Sequence, residues 1–403
     1  MKIAHITSYL VPGFGYEELP LAKAQKRMGH EVTIIASNFL HPPGSFYGVL
    51  KARFPERRVS PREEDQGGVR VIRLASWELP GRRVWMRGLS RTIRRLAPDV
   101  VHCHNLLQTQ TVRVAFGKAL GRPPKRLVVD DHMHMSVLRR SIAGRAFYVL
   151  YRNALQPLMG REIDSYCAIS EDTREYLHEI CGVRAEVELR PLGVDADEFK
   201  PSAALRQEWR QQLRIGSDEL VLLYTGKVIE AKGVHLLVAA ALRLLSTGES
   251  LKVVVVGDAA PDYLDHIKQQ IAAAGRVDDF RFHPSVQHSD LPGAYAAADI
   301  AIWPRQESMA VFEAMSTAIP VVVSNRSGYF NLVTGGPGVA FDHDDEASLA
   351  AAIRGLFDPA RRATLGSAGR AMTERTYSWQ RSAELYMETY GETSPASAAA
   401  GTG

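Results

Sequence analysis

The sequence predicts an α/β protein made of two successive parallel-sheet domains. Three observations carry this. Lys2–Ser8 reads as a short apolar strand, and a glycine-bearing loop, a helix and a second strand follow it. The same strand–loop–helix order restarts at Leu220 with VLLYTG, a helix, and KVVVVGD. At 403 residues the chain has room for two or three domains.

In the first half, the loop after Ser8 contains Pro12, Gly13, Phe14, Gly15, Tyr16, Glu17 and Glu18. Leu19–Met28 has helical periodicity, Gly29 reads as its C-cap, and Glu31–Ala36 is the next strand. This is a βαβ unit, which implies a right-handed crossover and parallel pairing. Gly13 and Gly15 allow a ligand close to the backbone, although a plain strand–helix turn accounts for them equally well. Their spacing is not G-x-G-x-x-G, so a dinucleotide site is not supported.

Residues 38–68 are rich in Pro, Gly and charge and read as a long surface loop before the strand Val69–Leu74. From Trp77 to Leu96, Arg82, Arg83, Arg87, Arg91, Arg94 and Arg95 interleave with Val84, Trp85, Met86, Leu89 and Ile93. That pattern reads as a basic amphipathic helix, suited to an anionic membrane surface or to an ordinary place over the sheet. Strands at Pro98–Cys103 and Leu127–Asp131 end in His104-Asn105 and Asp131-His132. Residues past the C-terminal ends of parallel strands face the crevice where open α/β sheets bind ligands. His132 is the favoured candidate; His102 and His134 read as locally satisfied histidines. A second basic and aromatic patch runs through Arg139, Arg140, Arg145, Phe147, Tyr148, Tyr151, Arg152 and Arg161.

In the second half, Tyr166–Ile169 is a strand, and Ser170 caps the helix that follows. RPLGVDADEFKP, residues 190–201, is a turn-rich connector that carries the domain boundary. The expected domains are 1–190 and 191–377, with a last helix near 378–392 returning to the first domain and a disordered tail from 393 to 403. After the strand ending at Gly226, Lys227 and Lys232 flank a loop. Cationic side chains beside a close-approach glycine suit a diphosphate. Later comes Trp303–Ser324, WPRQESMAVFEAMSTAIPVVVS: a polar turn, a short helix, Pro320 and a buried strand. Ser324–Gly338 reads as a loop. Glu313 stands in the helix among apolar residues, where a carboxylate is costly to bury without a partner. A glutamate leaning into solvent is the bland alternative.

The net charge of +4 hides an asymmetry. Residues 1–190 hold 30 Lys and Arg against 19 Asp and Glu, and the rest of the chain holds 19 against 26. The basic half suits phosphates or anionic lipid. Nucleic acid fits the charge, but no nucleic-acid-binding motif accompanies it. Cys103, Cys167 and Cys181 have no metal-ligand spacing and suit a reducing cytoplasm. No run of about 18 apolar residues is present, and the N-terminus reads as a strand rather than a signal peptide.

The order KIAHITSYL, GHEVTIIAS, PDVVH, SED-x-R, PLGVDADEF, YTGKVIEAKG, VVGD, AADIAIWP and ESMAVFEAM resembles the GT-B glycosyltransferases of family 4 along nearly the whole chain. The resemblance implies two Rossmann-like domains around a cleft. It implies retaining transfer from a nucleotide sugar (UDP- or GDP-linked), without a metal or other cofactor. It implies that Glu313 bonds the donor ribose, that Lys232 and Lys227 meet the diphosphate, that His132 lies near the donor sugar, and that Gly13 and Gly15 close on the donor or acceptor. Gly226, Ser308, Met309 and Ala310 join the implied donor site. The first glutamate of the family's Glu-x7-Glu motif falls on Arg305, and Glu307, two residues later, is the substitute contact assigned to the donor sugar. Lys227 keeps the charge of the usual arginine but loses its bidentate fork.

The implied acceptor is a glycan or lipid-linked glycan in cell-surface polysaccharide or glycolipid synthesis. The setting is cytoplasmic, at the inner face of the membrane. No protein nucleophile is expected, and Asp130 or Asp131 would be the alternative if there were one. Two rivals stay open: a nucleotide-sugar epimerase on this architecture, and a non-catalytic nucleotide-sugar-binding scaffold suggested by Arg305.

Overall fold

The computed structural model describes residues 1–12, 17–43, 54–133, 135, 142–306 and 308–392. Gly13, Gly15, Glu307, His134, Arg139, Arg140 and the tail from 393 lie outside the described residues. The chain divides into two compact units, Met1–Leu192 with Trp379–Gly403, and Gly193–Ser378.

The first unit is built on ten strands: β1 (Lys2–Thr7), β2 (Glu31–Ser37), β3 (Arg62–Gln66), β4 (Val69–Leu74), β5 (Ser76–Leu79), β6 (Arg83–Met86), β7 (Val100–His104), β8 (Arg126–Asp131), β9 (Ser165–Ala168) and β10 (Val187–Leu189). Eight form one sheet in the order β10-β9-β8-β7-β1-β2-β4-β3. Pairing is parallel except at β3–β4. The central strands are nearly continuous apolar runs, because helices cover both faces of a parallel sheet. On one face, Leu19 and Ala22 of the helix Glu18–Arg27 share a core with Trp379, Ala383, Tyr386 and Met387 of the helix Trp379–Thr389. The last helix therefore seals the sheet that begins the chain.

Two expectations for this unit are corrected. Residues 38–68 are more than a loop. Arg62–Gln66 turns at Gly67-Gly68 and pairs antiparallel with β4, and Glu64 on it takes a 2.7 Å bond from buried Arg73. The basic stretch from Trp77 to Leu96 is not one helix. It is the hairpin β5–β6, turned at Gly81 and Arg82 with positive φ, followed by the short helix Leu89–Leu96. The side chains alternate: Ser76, Val84 and Met86 point inward, and the cross-strand pair Trp77–Trp85 stays exposed. A period of two was hidden beneath the arginines.

The second unit carries β11 (Leu220–Thr225), β12 (Leu251–Val256), β13 (Phe280–His283), β14 (Ile300–Trp303), β15 (Val321–Ser324) and β16 (Gly338–Phe341). They form one parallel sheet in the order β13-β12-β11-β14-β15-β16. The order reverses at β11, whose neighbours β12 and β14 are reached by crossovers in opposite directions. Open α/β sheets bind ligands at such a switch point. The stretch expected as a loop after β15 contains the helix Phe330–Thr334. Among the described residues, no helix is long and apolar enough to cross a membrane.

The loops after β11 and β12 meet through glycine. Gly257 has φ +153°, and a Cβ there would lie 1.8 Å from the Gly226 carbonyl oxygen. No side chain fits that contact, so Gly257→Ala must push the two loops apart. The expected cost is about 1–3 kcal/mol, read as a lower urea midpoint at unchanged m-value.

Candidate active site

In the second unit, the predicted donor residues gather at the C-terminal edge of the sheet. Gly226 follows β11 directly, with φ +139°. Tyr224 donates to the Lys227 carbonyl at 2.8 Å, which fixes the path of that loop. Lys232 closes a single helical turn and donates to the Gln306 carbonyl at 2.9 Å. The lysine is thereby tied to the polar turn after β14. Ser308 is exposed and Met309 half-buried, and the helix proper begins at Ala310 and ends at Ser316.

Glu313 does not lean into solvent. It is 9% exposed, and both carboxylate oxygens are engaged. Tyr295 donates to Oε2 at 2.7 Å, and His288 Nε2 lies 2.9 Å from Oε1. Burial works against the charge on His288, and Glu313 outweighs it, so the imidazole pKa is raised. Tyr295 and His288 were not singled out in the sequence, because their pairing with Glu313 crosses from one helix to the next.

Arg305, at the position implied for a glutamate, donates to Asp344 at 2.7 Å and to the Glu230 carbonyl at 3.0 Å. It lines an open cavity of about 600 Å³ together with Ala231, Gln306, Ser324, Arg326 and His343.

In the first unit, His132 follows β8, and its side chain is 28% exposed. Its Nε2 lies 2.5 Å from Glu17 Oε2 and 3.7 Å from Asp130 Oδ2. Burial disfavours the charged ring, but these two carboxylates outweigh it and hold the pKa well above the ordinary histidine value. Asp130 is buried and lies 2.7 Å from His104 Nδ1 and 3.1 Å from His102 Nε2. Its carboxyl would be pushed up by burial; the neighbouring His104 and His102 rings, His104 carrying the charge, reverse that and hold it well below the usual range. Asp131 instead accepts the Leu106 and Met133 amides, each at 2.9 Å. His102 is a buried strand residue rather than a loop residue. His104 joins this group from the strand end already noted in the sequence, whereas Glu17 and Tyr386 were missed as members of it. The His-x-His alternation of β7 and the matching register of His5 with His102 were the signals available.

Among the described residues, two sets of side chains have ligand atoms close enough to share a metal ion: His5, His102 and His104, and Glu17, His104, Asp130 and His132. Both ring nitrogens of His5 and of His104 are already engaged with protein partners. An ion entering the first set would have to break those contacts.

Family models match on both sides of the connector. Residues 19–198 match Glycosyltransferase Family 4, and residues 206–372 match Glycosyl transferases group 1. The two matches together give the chain the two-domain make-up of a family 4-like glycosyltransferase. Similar proteins include a D-inositol 3-phosphate glycosyltransferase of Arthrobacter, 31% identical over 51% of this chain and 49% of that protein. The chain thus spans about half the length of this relative. A GDP-mannose-dependent phosphatidylinositol monomannoside mannosyltransferase of Mycobacterium tuberculosis is 27% identical over 77% of this chain and 80% of its own length. Among solved structures, the Anabaena protein HepE in complex with UDP superposes with TM-score 0.70 at 20% identity, covering 97% of this chain and 100% of that one. A Rickettsia africae glycosyltransferase gives TM-score 0.70 at 16% identity, covering 96% and 97%. At those identities the solved structures speak for the fold.

The buried histidines make stability depend on pH in two directions. Burial lowers the charged form of His104, yet Asp130 overrides it and raises the pKa to about 9 from 6.5. That contribution is complete below 6.5 and is lost as pH rises through about 9. His5 is pushed well below 6.5 by burial and by the neighbouring histidines, so its contribution is complete above 6.5 and fades in acid. Urea midpoints should therefore peak near pH 6.5. Asp130→Asn should lower the peak by about 3–5 kcal/mol and flatten the alkaline arm.

Proposed function

We propose that this chain transfers a sugar, with retention of configuration, from a nucleotide-sugar donor to a hydroxyl of a glycan or lipid-linked acceptor. The observation that carries the reading is the meeting of Lys232, the turn after β14 and buried Glu313 at the C-terminal edge of the second sheet. Lys232 and Lys227 supply preorganised positive charge for a departing diphosphate. Glu313, held by Tyr295 and His288, presents a preorganised acceptor to ribose hydroxyls. In this reading lysine charge does the work otherwise given to a metal. The acceptor hydroxyl attacks from the face the leaving group departs, and its proton passes to the released phosphate. Asp130 and Asp131 act as hydrogen-bond acceptors, and neither is the nucleophile. GDP-mannose is the donor named for the mycobacterial relatives, which makes GDP-sugars the first class to test and UDP-sugars the second.

A membrane-bound acceptor is supported by the exposed face of the hairpin. Trp77, Leu79 and Trp85 are 52%, 39% and 42% exposed, and Arg113 stacks on Trp85. Exposed tryptophans bordered by arginines suit a lipid headgroup region.

Thermal-shift and hydrolysis assays against GDP-, UDP- and ADP-sugars test the donor reading. One donor class should stabilise the protein and release its nucleotide slowly. Lys232→Ala and Glu313→Gln should each weaken that response at least about tenfold. Silence towards every donor would sink the reading. The membrane reading expects co-sedimentation with anionic vesicles but not with neutral ones, lost in a Trp77→Ser/Trp85→Ser double variant. Equal binding by that variant would remove the hairpin from the account.

A further inference from the structure

We infer that Glu17 is the positioning residue of His132, fixing its ring for the substrate while Tyr386 of the last helix fixes Glu17. The inference rests on the transferase reading, with His132 taken as a substrate-facing histidine past the end of β8.

The argument follows the protons. Gln25 Oε1 can only accept, so His5 Nε2 donates to it at 2.7 Å. His5 is neutral, so its Nδ1 accepts from His104 Nε2 at 3.0 Å. His104 then donates through Nδ1 to Asp130 at 2.7 Å and carries both protons. From the other side, Gln25 Nε2 donates to Tyr390 at 3.3 Å, and Tyr390 donates to His102 Nδ1 at 2.7 Å. His102 keeps its proton on Nε2, which faces Asp130 at 3.1 Å. The two arms meet at Asp130, through a hydrogen bond from His104 and a close but unaligned approach of His102 Nε2, with one positive charge on His104 and one negative charge on the carboxylate.

Glu17 stands outside those arms. Its Oε1 accepts from Tyr386 at 3.1 Å, a neutral donor. Its Oε2 has His132 at 2.5 Å. The Glu17 side chain is 1% exposed, so its charge calls for a cation close by. Within the cluster, His104 already answers Asp130, and His132 is the cation left for Glu17. Glu18 is buried beside it and is occupied by the Thr7 hydroxyl at 2.7 Å. Asp131 is occupied by two backbone amides. Asp130 reaches His132 only at 3.7 Å and Tyr386 at 3.5 Å. The proton on His132 Nε2 lies off the line to its carboxylates, so the contact with Glu17 is an ion pair rather than an aligned hydrogen bond. With Nε2 turned to Glu17, Nδ1–H is the donor that remains for a sugar hydroxyl or a leaving oxygen.

Glu17→Gln keeps the shape and the Tyr386 bond and removes the charge. In the substrate-free full chain, histidine NMR should show the His132 titration midpoint fall by at least about one pH unit. The alkaline limb of the kcat/KM profile should fall by the same amount. Tyr386→Phe should shift both in the same direction by less, and Glu17→Asp should restore most of the midpoint if Glu17→Gln folds poorly. A midpoint that stays put in Glu17→Gln overturns the inference, and so does a uniform loss of activity with an unmoved pH profile. The NMR arm needs no donor, so failure of the transferase reading and failure of this one are told apart.

Discussion

A carboxylate sealed inside a protein must be neutralised where it stands, and Asp130 imposes this on the whole first unit. It has no exposed surface, and its counter-charge comes from β7, two residues from the strand's other histidine. The register of β7 against β8 is therefore fixed by charge as well as by apolar packing. A slip of one residue would turn His102 and His104 to the opposite face and leave Asp130 uncompensated. The helix Trp379–Thr389 is bound by the same demand, since Tyr386 on it and Tyr390 just past its end reach this cluster. An element at the end of the chain thus completes the electrostatics of strands near its start.

The second unit meets its ligand-facing edge by other means. There the decisive contacts are made to the backbone. Gly226 and Gly257 let two loops touch, Tyr224 pins the Lys227 carbonyl, and Lys232 is tied to the turn after β14. Lys232 is held by a carbonyl at the edge of the sheet, and buried Glu313 is held by the side chains of Tyr295 and His288 rather than by a cluster of charges. The contrast matches the charge asymmetry of the sequence: the excess of arginine falls in the first half, and the acidic balance falls in the second.

What the sequence made legible follows from how far each interaction reaches along the chain. The parallel strands, the helix caps and the loop glycines depend on neighbours a few residues away, and they were read correctly at β1, β2, β4, β11 and β12, and at Ser170, whose side chain accepts from Thr173 N. Glu313 was found because a carboxylate in an apolar helix breaks a local rule. Its partners were not found, since Tyr295 and His288 owe their positions to tertiary packing. The hairpin β5–β6 was lost to composition: six arginines drew attention to an amphipathic helix, while Pro80-Gly81 and the alternation of Val84 and Met86 pointed to a turn between strands. The histidine cluster spans Gln25 to Tyr390 and had no local signature beyond His-x-His.

Arg305 marks the place where resemblance and structure part most clearly. A charge reversal in a folded unit normally leaves a mark, and here the mark is Asp344, which answers the guanidinium at 2.7 Å. Side-chain and backbone acceptors from two other loops hold the arginine, so the fold has absorbed the change within this unit. The consequence then falls on the ligand. A glutamate accepts hydrogen bonds from sugar hydroxyls, whereas a guanidinium only donates. Any sugar that meets Arg305 must present oxygen lone pairs to it rather than hydroxyl protons, and the cavity beside it adds a second arginine, Arg326. The polarity that the side chain offers at this position is therefore the inverse of a glutamate's.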